Sequence, residues 1–318
     1  MYIIVPSYPS IYFALNQFYL GEDVVVITNN TSVKKLVERL EIKCIFIYFN
    51  LNYKNVLQFR FKLKKLLKSL DLNKNLYLLD NVHTVEGFFI SNNWKKGNVY
   101  YKNLSTEYSI FKNSLNTKYK IIQFLCKTVL KLNLIFRNQN GIPAIGIDDS
   151  FLLENKINPL VLDNYNTIKL DVLNNFSFKG DKYNSILILQ GKLEGIIEIN
   201  SLKLVFNEIK KLKSLVLKEH PKHKTDELFS IGNIPTIPDY FPVEMCYGNI
   251  KNNIISVFSL SLVVASRMKG RKAISLLELV DWCNEDYKKQ IKNMLIKKSS
   301  NKIIFPKDIL ELQKELKK

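Results

Sequence analysis

Glycine-rich phosphate loops are missing from this 318-residue chain, which contains neither a GxGxxG nor a Walker-type sequence. Their absence disfavours a dinucleotide-binding or P-loop enzyme, whose backbone needs those glycines to approach a phosphate. Also missing is any stretch of the roughly 18 uninterrupted apolar residues that a spanning helix requires. Met1-Tyr2-Ile3-Ile4-Val5-Pro6 reads as a strand from the outset, without the charged leader of a signal peptide. A cytoplasmic location is therefore the expectation. Histidine occurs only three times, and no pair among Cys44, Cys126, Cys246 and Cys283 has metal-site spacing. No metal is expected, and the four cysteines read as small buried hydrophobes.

Acidic residues are scarce as well. With 29 of them against 47 lysines and arginines, the net charge is +18. Nucleic acid, an anionic membrane face or an anionic substrate would each answer to that charge. Many of the lysines lie along helical patterns, as at Lys62, Lys64, Lys65 and Lys68 and again at Lys210, Lys211 and Lys213. Much of the charge is therefore solvated helix face. A hydrophobic fraction of 47% and an aromatic fraction of 12% are ample for packed cores and exclude a disordered chain. The length favours two domains.

Apolar strand runs alternate with helical patterns through the first half. Strands are expected at 2–5, 24–28, 43–48, 76–79, 99–102 and 144–147, and helices at 11–20, 33–40, 56–70, 82–90 and 121–134. Regularity is lost from about 155 to 183, where Pro159, Gly180 and several Asn and Asp residues suggest a connection. A second alternating series follows to the carboxyl end. The expected fold class is α/β, two Rossmann-like domains with parallel sheets, the GT-B arrangement with its active site in a central cleft. The expected bounds are 1–155, a linker at 156–183, and 184–318.

One stretch of the second half concentrates chemistry. Leu215-Val216-Leu217 reads as a buried parallel strand running into Lys218-Glu219-His220-Pro221. Pro221 stops it at its carboxyl end, where open α/β sheets bind ligands. Lys218 and His220, two apart on extended backbone, project to one face and suit a phosphate.

Lys218-Glu219-His220-Pro221 resembles the K-x-H-P signature of bacterial sialyltransferases of the lipooligosaccharide, capsular and polysialyl groups. Asp148-Asp149-Ser150 is similar to that family's paired-acid motif, with Ser150 where glycine is expected. Phe258-Ser259-Leu260-Ser261 resembles its serine motif, split by Leu260, and Pro242-Val243-Glu244 its P-x-E segment. Pro6-Ser7-Tyr8-Pro9-Ser10 is similar to its opening loop. The resemblance spans the chain as an order of short motifs.

It implies an inverting, metal-independent transfer of sialic acid from CMP-sialic acid to a glycan hydroxyl. The first domain would take the acceptor, with Ser7 and Tyr8 in its loop, and the second would bind the CMP-sugar. Lys218, Pro221, Ser259 and Ser261 would hold the donor, and Glu244 the ribose hydroxyls. His220 would meet or protonate the departing phosphate. Asp149 or Asp148 would be the base, taken ahead of Glu194, whose Leu193-Glu194-Gly195 also resembles an acid-glycine element. No cofactor is implied beyond the donor substrate. The implied acceptor is a lipid-linked or capsular oligosaccharide, and the basic surface fits peripheral attachment to an anionic inner membrane face.

Blander readings stand beside these. Asp148-Asp149 could cap a helix, Glu194 could be a first-turn acid, and Ser259 and Ser261 could be turn or N-cap residues. The rivals are a transferase using CMP-Kdo or another nucleotide sugar, and a basic nucleic-acid-binding protein. The latter lacks the motifs of the standard modules, so no nucleic-acid partner is expected.

Overall fold

The computed structural model describes residues 1–6, 8–47, 55–79, 82–83, 85–102, 111–112, 117–132, 136–139, 142–146, 157–162, 172–173, 175–189, 193, 195–220 and 234–317. The chain forms two compact units, Met1–Val172 and Leu173–Lys318.

Unit 1 opens with β1 (Tyr2–Ile4), α1 (Tyr8–Tyr19), β2 (Val25–Thr28), α2 (Thr31–Arg39), β3 (Lys43–Phe46), α3 (Val56–Ser69) and β4 (Leu76–Leu78). Then come β5 (Val82–His83), α4 (Val85–Asn92), β6 (Val99–Tyr101), β7 (Phe111–Lys112) and α5 (Thr117–Leu125). The unit ends with β8 (Phe136–Gln139), β9 (Ile142–Gly146) and β10 (Asn158–Pro159). Six strands form a wholly parallel sheet in the order β10-β6-β4-β1-β2-β3. Its short strands are apolar on both faces because helices cover both, so Ile3, Val26 and Leu76 are fully buried. Asn30 starts α2 by accepting bonds from the Ser32 and Val33 amides at 3.0 and 3.3 Å. The core under α3 and α5 is built on Phe59, Leu63, Phe88 and Cys126.

Three local expectations are corrected in this unit. The strand at 144–147 exists as β9, but it belongs to a separate antiparallel sheet, β5-β9-β8-β7, and not to the parallel one. Between β8 and β9 the sequence is Asn140-Gly141, the pair that favours a two-residue hairpin connection. Val82 and His83 pair with β9, so the helix expected over 82–90 begins only at Val85. The helix expected over 121–134 starts at Thr117 and passes into a π-helical turn, Cys126–Leu130. Lys131 ends it in the left-handed conformation, φ 60°.

Unit 2 is more regular: β11 (Tyr183–Ile188), α6 (Ile199–Ile209), β12 (Leu215–Lys218), β13 (Thr236–Ile237) and a 3₁₀-helix, Val243–Asn249. It continues through β14 (Ile250–Ser256), α7 (Leu260–Ala265), β15 (Lys272–Ser275), α8 (Glu285–Ser299), β16 (Ile303–Ile304) and α9 (Ile309–Lys317). Its strands are all parallel in the order β13-β12-β11-β14-β15-β16. Two Rossmann-like units on parallel sheets are the fold class read from the sequence. The cysteines follow expectation only in part: Cys126 and Cys246 are buried, Cys44 is half-buried and Cys283 is exposed. Cys283 sits in the loop before α8, where a small residue need not pack inward.

Candidate functional site

In unit 2 the first strand, β11, lies between the second and the fourth, so chain direction across the sheet reverses between β11 and β14. Ligands of open α/β sheets bind outside the carboxyl ends of strands at such a point. Those ends are stitched together by buried serines. Ser256 Oγ donates to the Ile188 carbonyl at 3.0 Å, and Ser275 Oγ to the Val257 carbonyl at 2.7 Å. Each hydroxyl donates to a carbonyl at the carboxyl end of a strand or just beyond it, where the ladder runs out.

Lys218 closes β12 with only 3% of its surface exposed. Its ammonium donates to the carbonyls of Glu219 at 2.6 Å and Asp239 at 3.1 Å. Burial pushes its pKa down, against the opposing influence of Cys246, Asp239, Glu219 and Glu244. The cation thus ties the loop after β12 to the loop after β13. Two of its three donors are committed to that work. His220, two residues on, is half-buried and ends the described part of this loop. Alternation on extended backbone put both on one face; their surroundings separate them, one inward and one nearer solvent.

Glu244, Ser259 and Ser261 come together although sequence sets them up to 17 residues apart. Ser261 Oγ donates to Glu244 Oε1 at 2.9 Å. Ser259 is the N-cap of α7, its Oγ accepting the Ser261 amide at 3.2 Å. Accepting leaves the Ser259 hydroxyl its own proton to donate. Tyr247, almost wholly buried, donates its phenol to the Ser261 carbonyl at 2.8 Å. Burial, then Glu244, raise that phenol far above its ordinary pKa, so it stays a donor. Cys246 beside it is pushed up by burial to about 12 and remains a thiol. A carboxylate, two hydroxyls and a locked phenol therefore bind the 3₁₀-helix to α7 after β14.

The cap role foreseen for Ser259 as the bland reading is the one it has, together with the contact to Ser261. Tyr8 opens α1, so Tyr8, Pro9 and Ser10 form the first turn of the helix expected from 11 and are not part of a loop. Ser7, Asp148, Asp149, Glu194 and Pro221 lie outside the described residues. Beside Glu194, the Leu193 carbonyl accepts the amides of Ile196 and Ile197 at 3.0 and 3.1 Å. Gly195 there has φ +74°, a conformation that glycine enters without strain.

One buried acid lies outside the motifs legible in the sequence. Glu86, only 6% exposed, lines a small crevice of about 10 Å³, room for little more than one water, with Val5, Pro6, Thr28, Asn29 and Gly87 at the strand ends of unit 1. Its sequence signal was Glu86-Gly87, another acid-glycine pair, hidden inside an apolar helical run. Among the described residues no three His, Cys, Asp or Glu side chains converge as a metal site would need.

No protein-family model matches the chain, and no curated protein matches it by sequence. Solved structures do resemble it in fold. A glycosyltransferase from Rickettsia africae ESF-5 aligns over 99% of this chain and 96% of its own, at 14% identity and TM-score 0.39. The glycosyltransferase SnogD from Streptomyces nogalater aligns over 99% and 89%, at 12% identity and TM-score 0.46. UDP-GlcNAc 2-epimerase from Neisseria meningitidis, solved with UDP-GlcNAc, aligns over 96% and 95%, at 14% and 0.45. Likeness at this level assigns neither a reaction nor a substrate.

Proposed function

We propose that the protein transfers a sugar from a nucleotide donor and that the donor is CMP-sialic acid. The observation that supports this reading is the meeting of Glu244, Ser259 and Ser261 at the carboxyl edge of the unit 2 sheet. That edge also carries Lys218 and His220. Three short motifs distant in sequence thus share one end of one sheet.

In the proposed reaction the acceptor oxygen forms a bond to the anomeric carbon of sialic acid as the bond from that carbon to the CMP phosphate oxygen breaks. The electron pair leaves with the phosphate. His220 meets that charge and can donate a proton to it, and the Ser259 hydroxyl adds a second donor. Lys218 acts as a positioning residue, fixing the loop that presents His220. Glu244, held by Ser261, accepts hydrogen bonds from the ribose hydroxyls. The acceptor's proton passes to a carboxylate, Asp149 or Asp148 ahead of Glu194. Charge is met by fixed protein donors, so the chemistry calls for no divalent ion. The acceptor is a surface-glycan oligosaccharide, by the same resemblance.

Incubation of the purified chain with CMP-sialic acid and lactose or a glycan acceptor tests this. CMP release that depends on acceptor supports it. No turnover, no donor hydrolysis and no CMP binding would overturn it. Thermal shifts across a nucleotide panel separate the donors, because a ligand that binds only the folded state stabilises it by mass action. Stabilisation by uridine but not cytidine nucleotides would replace CMP-sialic acid with a UDP-sugar.

A further inference from the structure

Two neighbouring segments of unit 1 combine cations, an absence of acids and outward apolar side chains. From 55 to 70, around α3, there are five basic residues and no acidic one. From 117 to 132, covering α5 and its π-helical turn, there are four and again none. The two segments pack on each other, and their inner sides, Phe59, Leu63 and Leu67 with Ile122, Cys126 and Leu130, share one core. Their outer sides are not purely polar. Leu57 and Phe61, four apart and so on one face of α3, are 62% and 72% exposed. Lys64, Lys65 and Lys68 continue that stripe. Ile121 and Phe124, three apart on α5, are 47% and 64% exposed, with Lys120, Lys127 and Lys131 along the same side.

A single exposed Leu or Phe needs no explanation. Four on two adjacent helices, set in lysines without a single acid, do. Among the described residues none of these six lysines forms an ion pair, whereas α8 of unit 2 pairs Lys288 and Lys292 with Glu278. A basic face carrying outward aliphatic and aromatic side chains has the chemistry of a helix lying in a lipid interface. Cations gather at anionic headgroups while Leu, Ile and Phe enter the acyl boundary. Nucleic acid would use the cations, and Phe as a stacking platform, but gives Leu57 and Ile121 nothing apolar to enter. Among the described residues no helix is long and apolar enough to cross a membrane, so contact would be at the surface.

We propose that the outer faces of α3 and α5 dock unit 1 onto an anionic lipid bilayer. The inference stands independently of the sugar-transfer reading. Co-sedimentation of the full chain with vesicles tests it, using phosphatidylcholine alone and phosphatidylcholine mixed with phosphatidylglycerol. Binding is expected to the mixed vesicles only, and to weaken as salt shortens the reach of charge. The triple variant Lys64→Glu, Lys65→Glu, Lys68→Glu should lower partitioning by about tenfold or more. Leu57→Ser with Phe61→Ser and Phe124→Ser should also lower it by about tenfold, because it removes the inserted surface. Lys289→Glu with Lys297→Glu, exposed positions on α8, should leave it unchanged. Hydrogen exchange on the wild-type chain reads the same contact without a variant: vesicles should slow exchange over 57–68 and 117–131. Equal binding to neutral vesicles, or no binding to either, would overturn the proposal. So would insensitivity to both triple variants. Tight RNA binding lost in the lysine variant without vesicle binding would reassign the face to nucleic acid. A dimer abolished by the serine variant would reassign it to self-association.

Discussion

The two units have the same strand order and differ in where their polar side chains gather. In both, the sheet runs third, second, first, fourth, fifth, sixth strand, all parallel. Both pair some charges internally, Asp23 bridging Lys43 and Lys74 at 2.8 and 2.7 Å in unit 1, and unit 2 adds a network at its strand ends. Glu278 bridges Lys288 and Lys292 at 3.0 and 2.6 Å, and Lys218 and Ser261 are committed inside the strand-end network. Unit 1 leaves α3 and α5 with cations and no acids, and carries an added antiparallel sheet. One topology thus supports a preorganised polar edge in one copy and an open basic-apolar face in the other. Fold alone does not say what either does.

If the unit 2 edge does the chemistry, His220→Ala should produce the largest change. Acceptor-dependent CMP release should fall by about 10²–10³, the loss typical of one preorganised donor, with the melting temperature held because His220 is only half-buried. A fall in melting temperature with unchanged turnover would give His220 a structural role instead. Next in size is Glu244→Ala, expected to weaken CMP binding by about 1.5–3 kcal/mol, the range for a hydrogen bond to a charged group. A double-mutant cycle with Ser261→Ala, read by calorimetry, should give a coupling of about 0.5–1.5 kcal/mol through their 2.9 Å bond. Additive effects would separate that pair from donor binding. Single alanine substitutions at Asp148, Asp149 and Glu194 then identify the base, since whichever retains near-normal turnover is excluded.

The smallest expected effect concerns charge pairing. Burial raises the Glu278 pKa, but hydrogen bonds from Lys292 and Lys288 outweigh it and hold the carboxyl below its ordinary 4.5. The folded pKa is depressed, so the stabilisation is fully present above the unfolded value and lost as pH falls through the folded one. Glu278→Gln should therefore cost about 1 kcal/mol near neutrality and progressively less on acidification. A pH-independent cost would mean that packing, not charge, is what the substitution removes.

The elements that sequence placed correctly are those with a strong physical signature. Leu215–Lys218 begins with three apolar residues and Val25–Thr28 is β-branched throughout, as suits strands buried on both faces. β5 is only two residues long and has no periodicity to read, and its place beside β9 comes from pairing across the fold. That pairing also removes the argument that Asp148-Asp149 ends a strand of the parallel sheet. The strand before them is antiparallel, and the rule about carboxyl ends of parallel strands does not extend to it. Glu244 and Ser261 were legible as site candidates, but their mutual bond was not, because it depends on how the 3₁₀-helix meets α7. Lys218 was legible as a cation at a strand end. Its burial was not, since the Asp239 carbonyl that receives it lies 21 residues away.

Calorimetric titration of CMP into the full chain, the His220→Ala chain and the Glu244→Ala chain tests the central claim most directly. Binding to the wild type that is weakened by both unit 2 substitutions, yet unchanged by the lysine variant on α3, is the predicted result. Absence of CMP binding, or binding indifferent to Glu244 and His220, would contradict it.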